Sequence, residues 1–402
     1  MKAEGRFFST RVLLRCLAGG CLIVAGAAAL VLSVLMAAPR EASAKPQHPS
    51  SAEAVPCSAT ALITAINEAN AGGGGHLRLS PQCTYTLTVA QADTEDGLPP
   101  IRSPITIDGR GATITRSTDP DTPAFRIFEV LSPGHLILRS ITISQGDAPG
   151  PEPDGGGGIE VREGASLFAS STVVSGNVGA LGGGVNNFGT AEMANCVVAR
   201  NEGLHGAGVS NSTRSGTLRL TNTLISSNRA ESDAGVGGGV YNQEGGSASL
   251  VNTSIEGNIG DNSAGGIRND HDSVMEVTNS RVSQNRAGPL FGAPTTVTGG
   301  GIQNQGKMVL RHTTVERNHA AKTSAPTIAR GGGIANLKSD QQGASPPDLS
   351  LINSRITDNV ADDGPGGIYN DQGTVALKRT SVTDNVPSNC SGSPTAVPGC
   401  SG

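Results

Sequence analysis

The stretch Gly237-Gly238-Gly239-Val240-Tyr241-Asn242 is followed ten residues later by Asn252-Thr253-Ser254-Ile255-Glu256-Gly257-Asn258, and this pair of elements recurs through most of the chain. Equivalent anchors stand at Ile159, Val185, Val209, Ile267, Ile302, Ile334 and Ile368, with neighbouring anchors 24 to 35 residues apart. Such a period signals a solenoid, because one coil cannot bury its apolar face alone and must stack on the next. The copies align on Asn177, Asn201, Asn228, Asn258, Asn285, Asn318, Asn359 and Asn385. Three residues before each lies Val or Ile (Val174, Val198 and Ile225 in the first three), as a buried strand position prefers. Five before lies a small residue, Thr or Ser in all but one copy. Cys196 takes that place once and reads as a packed thiol rather than a nucleophile.

Columns this regular imply coils lying like residue over like residue, at an interstrand spacing of about 4.8 Å. The glycine triplets supply turns where φ is positive or where no Cβ fits. A second asparagine column, Asn187, Asn211, Asn242, Asn269, Asn304, Asn336 and Asn370, accompanies the first. Stacked amides of this kind form ladders along the axis, so these polar columns read as structural. Composition agrees: 56 glycines, seven Phe, three Tyr and no Trp suit a core of stacked Val, Ile and Leu.

Residues 1–44 read as a signal peptide or a membrane anchor. Lys2, Arg6, Arg11 and Arg15 precede an uncharged apolar run, Leu17 to Ala38, and Ala42-Ser43-Ala44 fits a cleavage site. The remainder carries 24 bases against 32 acids, which argues against nucleic-acid binding. A linker spans 45–56. Residues 57–83 form an N-terminal cap whose short helix, Thr60 to Ala71, gathers Ala61, Leu62, Ala65, Ile66 and Ala69 on one face. Cys57 and Cys83 flank that helix and are expected to pair in an exported chain, with Cys390 and Cys400 closing the other end likewise. Residues 84–386 are the solenoid and 387–402 a C-terminal tail.

The combination Gly-Gly-Gly-Ile-x-Asn with Ile-x-x-Asn resembles the repeats of chlamydial polymorphic outer-membrane proteins, with Ile or Val here in the place of their Phe. The segment Cys57 to Asn70, ending Ala-Ile-Asn-Glu-Ala-Asn, is similar to the amino-terminal caps of exported proteins of this kind. The resemblance implies an all-β chain, a right-handed parallel β-helix of the pectate-lyase-like fold, here of roughly eleven coils with a short N-terminal capping helix. It also implies a bacterial protein, secreted or held at the cell surface. The membrane β-barrel that ends such proteins is not expected here.

Function is less constrained. Along the Gly-Gly-Gly-Ile-x-Asn strand the outward places vary, and Tyr241, Arg268 and Tyr369 are the candidate binding surface. Arg268, Asp270 and Asp272 are the candidate catalytic residues: β-helical lyases hold Ca²⁺ on a uronate with carboxylates and remove the adjacent proton with Arg or Lys. The neighbouring rungs offer Gln243 and Gln305 rather than further acids, so a salt bridge at a turn competes with that reading. Asp358 and Asp384 share a column and would bind Ca²⁺ with Asp362 or Asp363, or stand as exposed acids without metal. The long connections Arg286 to Thr298 and His319 to Arg330 favour a binding face. The expected role is recognition, by adhesion or by binding a polysaccharide or surface protein, with membrane contact only through an uncleaved N-terminus. The alternatives are a lyase or hydrolase of acidic polysaccharide and a structural envelope stalk.

Overall fold

One repeat makes one turn of the structure. In the turn that starts at Ile267, the segment Ile267–Asn269 forms a short face and Val274–Thr278 with Arg281–Ser283 a long one. Arg286–Ala287 forms a third. Each strand pairs in parallel with its equivalent one repeat on: Ile267 with Ile302, Val274 with Lys307, Arg281 with Thr314 and Arg286 with His319. Repetition builds a 21-stranded sheet on the long face, a 9-stranded sheet on the short face and an 8-stranded sheet on the third. This is a right-handed parallel β-helix of about 9 turns with, among the described residues, a single short helix. The computed structural model describes residues 52–402 except 93, 149–154, 212–215, 232–234, 289–295 and 323–326. The leader expected over residues 1–44, with Cys16 and Cys21, lies outside the described residues. Among those described, no helix is long and apolar enough to cross a membrane.

The turn count is lower than the roughly eleven expected, for a definite reason. The earliest strands, Gly75–Leu79, Thr84–Leu87 and Pro104–Arg116, pair only on the long face, whereas the short face begins at Phe128–Val130. The first coils are therefore incomplete. Leu62, Ala65, Ile66 and Ala69 of the helix Ala59–Ala71 join the same buried core as Leu77 and Leu79 of these early strands. The Ser58 hydroxyl accepts the Ala61 N–H at the helix start. A disulfide joins Cys57 to Cys83 across this cap.

What holds turn to turn is a pair of buried amide ladders. The Asn228 side-chain NH₂ donates to the Asn258 oxygen at 2.9 Å and to the Val198 carbonyl at 3.0 Å. The same Asn258 oxygen accepts the Asn228 backbone N–H at 3.0 Å. The arrangement repeats from Asn177 to Asn385, and every member is buried. The second ladder runs Asn187, Asn211, Asn242, Asn269, Asn304, Asn336, Asn370 with amide contacts of 2.7–2.9 Å. Between the ladders, Gly237 has φ of +66°, and a Cβ on Gly238 would lie 2.2 Å from the Ile259 carbonyl oxygen. Only glycine fits such a turn. Thr223, Thr253 and Thr313 donate their hydroxyls to main-chain carbonyls, and the Cys196 thiol points at the Ala169 carbonyl in the same way. Burial raises the pKa of that thiol, consistent with a packing role.

Residues 387–402 are more than a tail. The Asn389 side chain accepts the Asn385 amide at 3.0 Å, taking the place of the next rung, and the Asn370 amide donates to the Thr395 carbonyl. Cys390 and Cys400 form a disulfide, and Val397 is buried. The segment closes both ladders and covers the open end of the core.

Replacing Asn258 with Ala would leave two donors of Asn228 without an acceptor, at about 1–3 kcal/mol for each buried group. The exposed Asn222, with φ of 49°, would lose its conformational advantage and a solvent-exposed hydrogen bond to Asn195 on replacement by Ala, about 1 kcal/mol in all. Chemical denaturation of the two variants should place Asn258→Ala well below Asn222→Ala. Equal losses would contradict the ladder's role.

Candidate functional site

The short face carries one column of outward side chains: Glu160, Asn186, Ser210, Tyr241, Arg268, Gln303, Ala335 and Tyr369 in successive register. Strand alternation points them away from the core, yet much of the column is buried. Gln303 is 5% exposed and Tyr369 4%. The cover comes from the long connections. Thr296–Thr298 pairs with Ile328–Arg330, and Val236, Ser263 and Thr298 bridge in sequence beside them. The freely exposed strip expected from the sequence is therefore a partly roofed one.

Arg268 and Asp270 do come together. The Arg268 guanidinium donates to Gln303 Oε1 and Gln305 Oε1, both at 2.8 Å, and lies 3.6 Å from Asp270 Oδ1. The Tyr241 hydroxyl donates to Asp270 Oδ2 at 2.6 Å, and the His271 N–H donates to Oδ1. Burial alone would raise the Asp270 pKa, but Arg268, Tyr241 and His271 outweigh it and hold the carboxyl below its usual range. Burial pushes the Tyr241 phenol up, so it stays a donor. Arg268 is thus a fixed cation in an ion-paired network. Asp272 does not join it. With φ of 55°, it faces the 338–347 insertion and accepts the Ser345 N–H.

Asp358 and Asp384 are exposed corner residues with φ of 56° and 59°. Asp362 and Asp363 are engaged elsewhere. Asp362 Oδ1 lies 2.8 Å from His319 Nε2, and Asp363 accepts the Ala329 N–H at 3.0 Å. Among the described residues, no group of three His, Cys, Asp or Glu is placed to hold a metal ion.

Arg268 and Tyr369 meet in one groove of about 540 Å³, with Gln303, Gln305, Arg330 and Lys338 along its sides. Arg330 lies over the Tyr369 ring, 5.2 Å from its centroid, and donates to the phenol oxygen at 2.8 Å. Asp340 and Asp371 line the groove as well, and with Lys338 they continue into an adjoining depression of about 680 Å³ beside Gln341 and Gln342. Tyr241 is absent from the groove lining and acts behind it, through Asp270 and Arg268. Sequence reasoning placed Asp371 beside Tyr369 on the outward strip but missed Arg330, Lys338 and Asp340. The signal available was positional: Arg330 ends a long connection, and Lys338 and Asp340 open the insertion after Leu337.

A second charged cluster, also missed, occupies the early end of the same column. Arg126 contacts Asp96 at 2.8 Å and Glu160 at 3.0 Å, while Arg162 contacts Glu129 at 2.8 Å and Glu160 at 3.1 Å. Asp96, Arg126 and Glu160 are buried. With the largely exposed Glu95, 3.6 Å from Arg126, four carboxylates meet two guanidiniums, and a proton on the hydrogen-bonded Asp96–Glu129 pair reduces the excess negative charge. Burial, then the neighbouring Glu129 charge, push Asp96 up to about 7.

No family model and no curated protein matches the chain. Among solved structures, the fold is similar to the pectate lyase Pel9A, with a TM-score of 0.38 and 13% identity over 81% of this chain and 73% of that one. It is also similar to tailspike protein 3 of bacteriophage CBA120, with a TM-score of 0.33 and 13% identity over 84% of this chain and 59% of that one.

A folded-state pKa above the unfolded value means that the Asp96 proton stabilises the fold. Its contribution is complete below the unfolded value of 3.8 and is lost as pH rises to about 7. Thermal unfolding between pH 4 and 8 should therefore show the parent protein losing stability relative to Asp96→Asn as pH increases. Parallel profiles would contradict the shared proton.

Proposed function

We propose that this protein recognises an extended polysaccharide in the groove between Arg268 and Tyr369. The observation that carries this reading is the groove's composition and course. It crosses successive turns of the short face and presents ordered donors and acceptors from Arg268, Gln303, Gln305 and Arg330, which lies over the buried Tyr369 ring, with the exposed Lys338 at its side. Planar guanidiniums match carboxylates and the amides match sugar hydroxyls, so uronate-containing polymers are the favoured class. The two disulfides fit an oxidising, extracytoplasmic setting. The likeness of the repeats to those of chlamydial polymorphic outer-membrane proteins supports display on a surface or secretion.

A second reading, cleavage of the bound polymer, is favoured by one feature: Asp340 and Asp371 line the groove close to Lys338 and Tyr369. The candidate Arg268–Asp270 pair suits binding better than proton removal, because the guanidinium stays protonated and its carboxylate partner is already engaged. Ca²⁺ would enter through the groove acids or through Asp358 and Asp384.

Electrophoresis of the purified protein through gels containing uronate polysaccharides, with Ca²⁺ and with chelator, tests both readings. Retardation is expected, with affinity reduced about tenfold, or 1.4 kcal/mol, by Arg330→Ala or by Lys338→Ala on the exposed loop. Mobility unchanged by every polysaccharide would overturn recognition. New unsaturated or reducing ends, abolished by Asp371→Asn, would establish cleavage instead.

A further inference from the structure

The two strips of the long face meet at a corner where each turn passes through a left-handed residue. In the later turns these are Asn279, His312, Asn353 and Arg379, all with φ of 48–50°. Over the last turns the corner opens into a shallow trough of about 610 Å³. It shares no lining residue with the short-face groove.

Its side chains are ordered by a directional relay. Arg379 Nε donates to Asn353 Oδ1 at 2.7 Å, so the Asn353 NH₂ is the group that faces His312 Nε2 at 3.1 Å. Nε2 is thus the acceptor of this contact, which leaves Nδ1 as the ring's donor. Arg355 stands in register between Thr314 and Ser381 of the neighbouring turns.

The charge on this corner departs from the turns before it. There an arginine faces a glutamate of an adjoining turn: Arg219 with Glu192 at 2.9 Å, Arg281 with Glu316 at 2.7 Å and Arg311 with Glu276 at 2.8 Å. Arg355 and Arg379 have no carboxylate partner among the described residues, and no acidic side chain lines the trough. Two uncompensated guanidiniums, an imidazole donor and the Thr314 and Ser381 hydroxyls thus converge on one open concavity.

We infer that this trough is a second glycan-binding site, which takes an oxyanion carried on a sugar, either a sulfate ester or a uronate carboxylate. The guanidiniums of Arg355 and Arg379 hold the anion, and the hydroxyls with His312 hold the adjoining sugar. The site is independent of the groove. With both occupied, one molecule grips two segments of polymer.

The test is NMR of the His312 ring in the purified protein, assigned with His312→Gln, during titration with a sulfated disaccharide, a uronate disaccharide, inorganic sulfate and sodium chloride. The readout sits on the trough, so occupancy of the groove does not move it. A saturable shift with one of the disaccharides, tighter than with inorganic sulfate, is expected, and the tighter of the two names the anion. Arg355→Gln, which removes no hydrogen bond that orders the corner, should weaken it about tenfold. Shifts that follow ionic strength alone, equal affinity for inorganic sulfate and both disaccharides, or indifference to Arg355→Gln would each overturn the assignment.

Discussion

The structure depends on one interaction repeated along its axis, the buried asparagine amide that bonds both to the turn before it and to the turn after it. Each Oδ1 of the first ladder accepts a backbone N–H and a side-chain NH₂ from the preceding turn, and the amide passes the pattern on. Such a group cannot be exchanged for an apolar residue without stranding donors on its neighbour, or for an acid without losing its own donor. The ladders thus fix the register of every strand between them, because a shift of one residue would break both columns together. The C-terminal segment shows the same requirement, since Asn389 supplies the acceptor that a further turn would have provided.

With the interior fixed in this way, chemical variety is confined to places the ladders leave free. The outward column of the short face changes character along the axis. It is a buried ion network at Glu129 and Glu160, an ion-paired arginine at Arg268 and a roofed groove ending at Tyr369. The long face neutralises Arg219, Arg281 and Arg311 between turns and leaves Arg355 and Arg379 open near its end. Both concave surfaces sit toward the C-terminal half, where the connections between turns are longest.

Much of this was legible in the sequence. The period, the glycine turns, the β-branched columns and the structural nature of the asparagines follow from spacing alone, since like residues stack at fixed intervals. The number of complete turns did not, because the early strands lack the glycine triplet and pair on one face only. Nor did the burial of Tyr369 and Gln303. Alternation tells which way a side chain points, and not whether a neighbouring segment such as Ile328–Arg330 lays a side chain over it. Arg268 with Asp270 was readable because two outward places of one strand must be neighbours. The Asp96, Arg126, Glu129, Glu160 and Arg162 cluster draws on three separate segments of irregular spacing, and no local pattern announces it.

Residue-resolved hydrogen exchange of the free protein is the most direct test of the ladder as the element everything else rests on. The backbone amides of Asn201, Asn228, Asn258, Asn285 and Asn318, each bonded to the next turn's side chain, should exchange only through global unfolding. The connections that roof the short face should exchange through local opening. Ladder amides exchanging as fast as those connections would contradict this order of dependence.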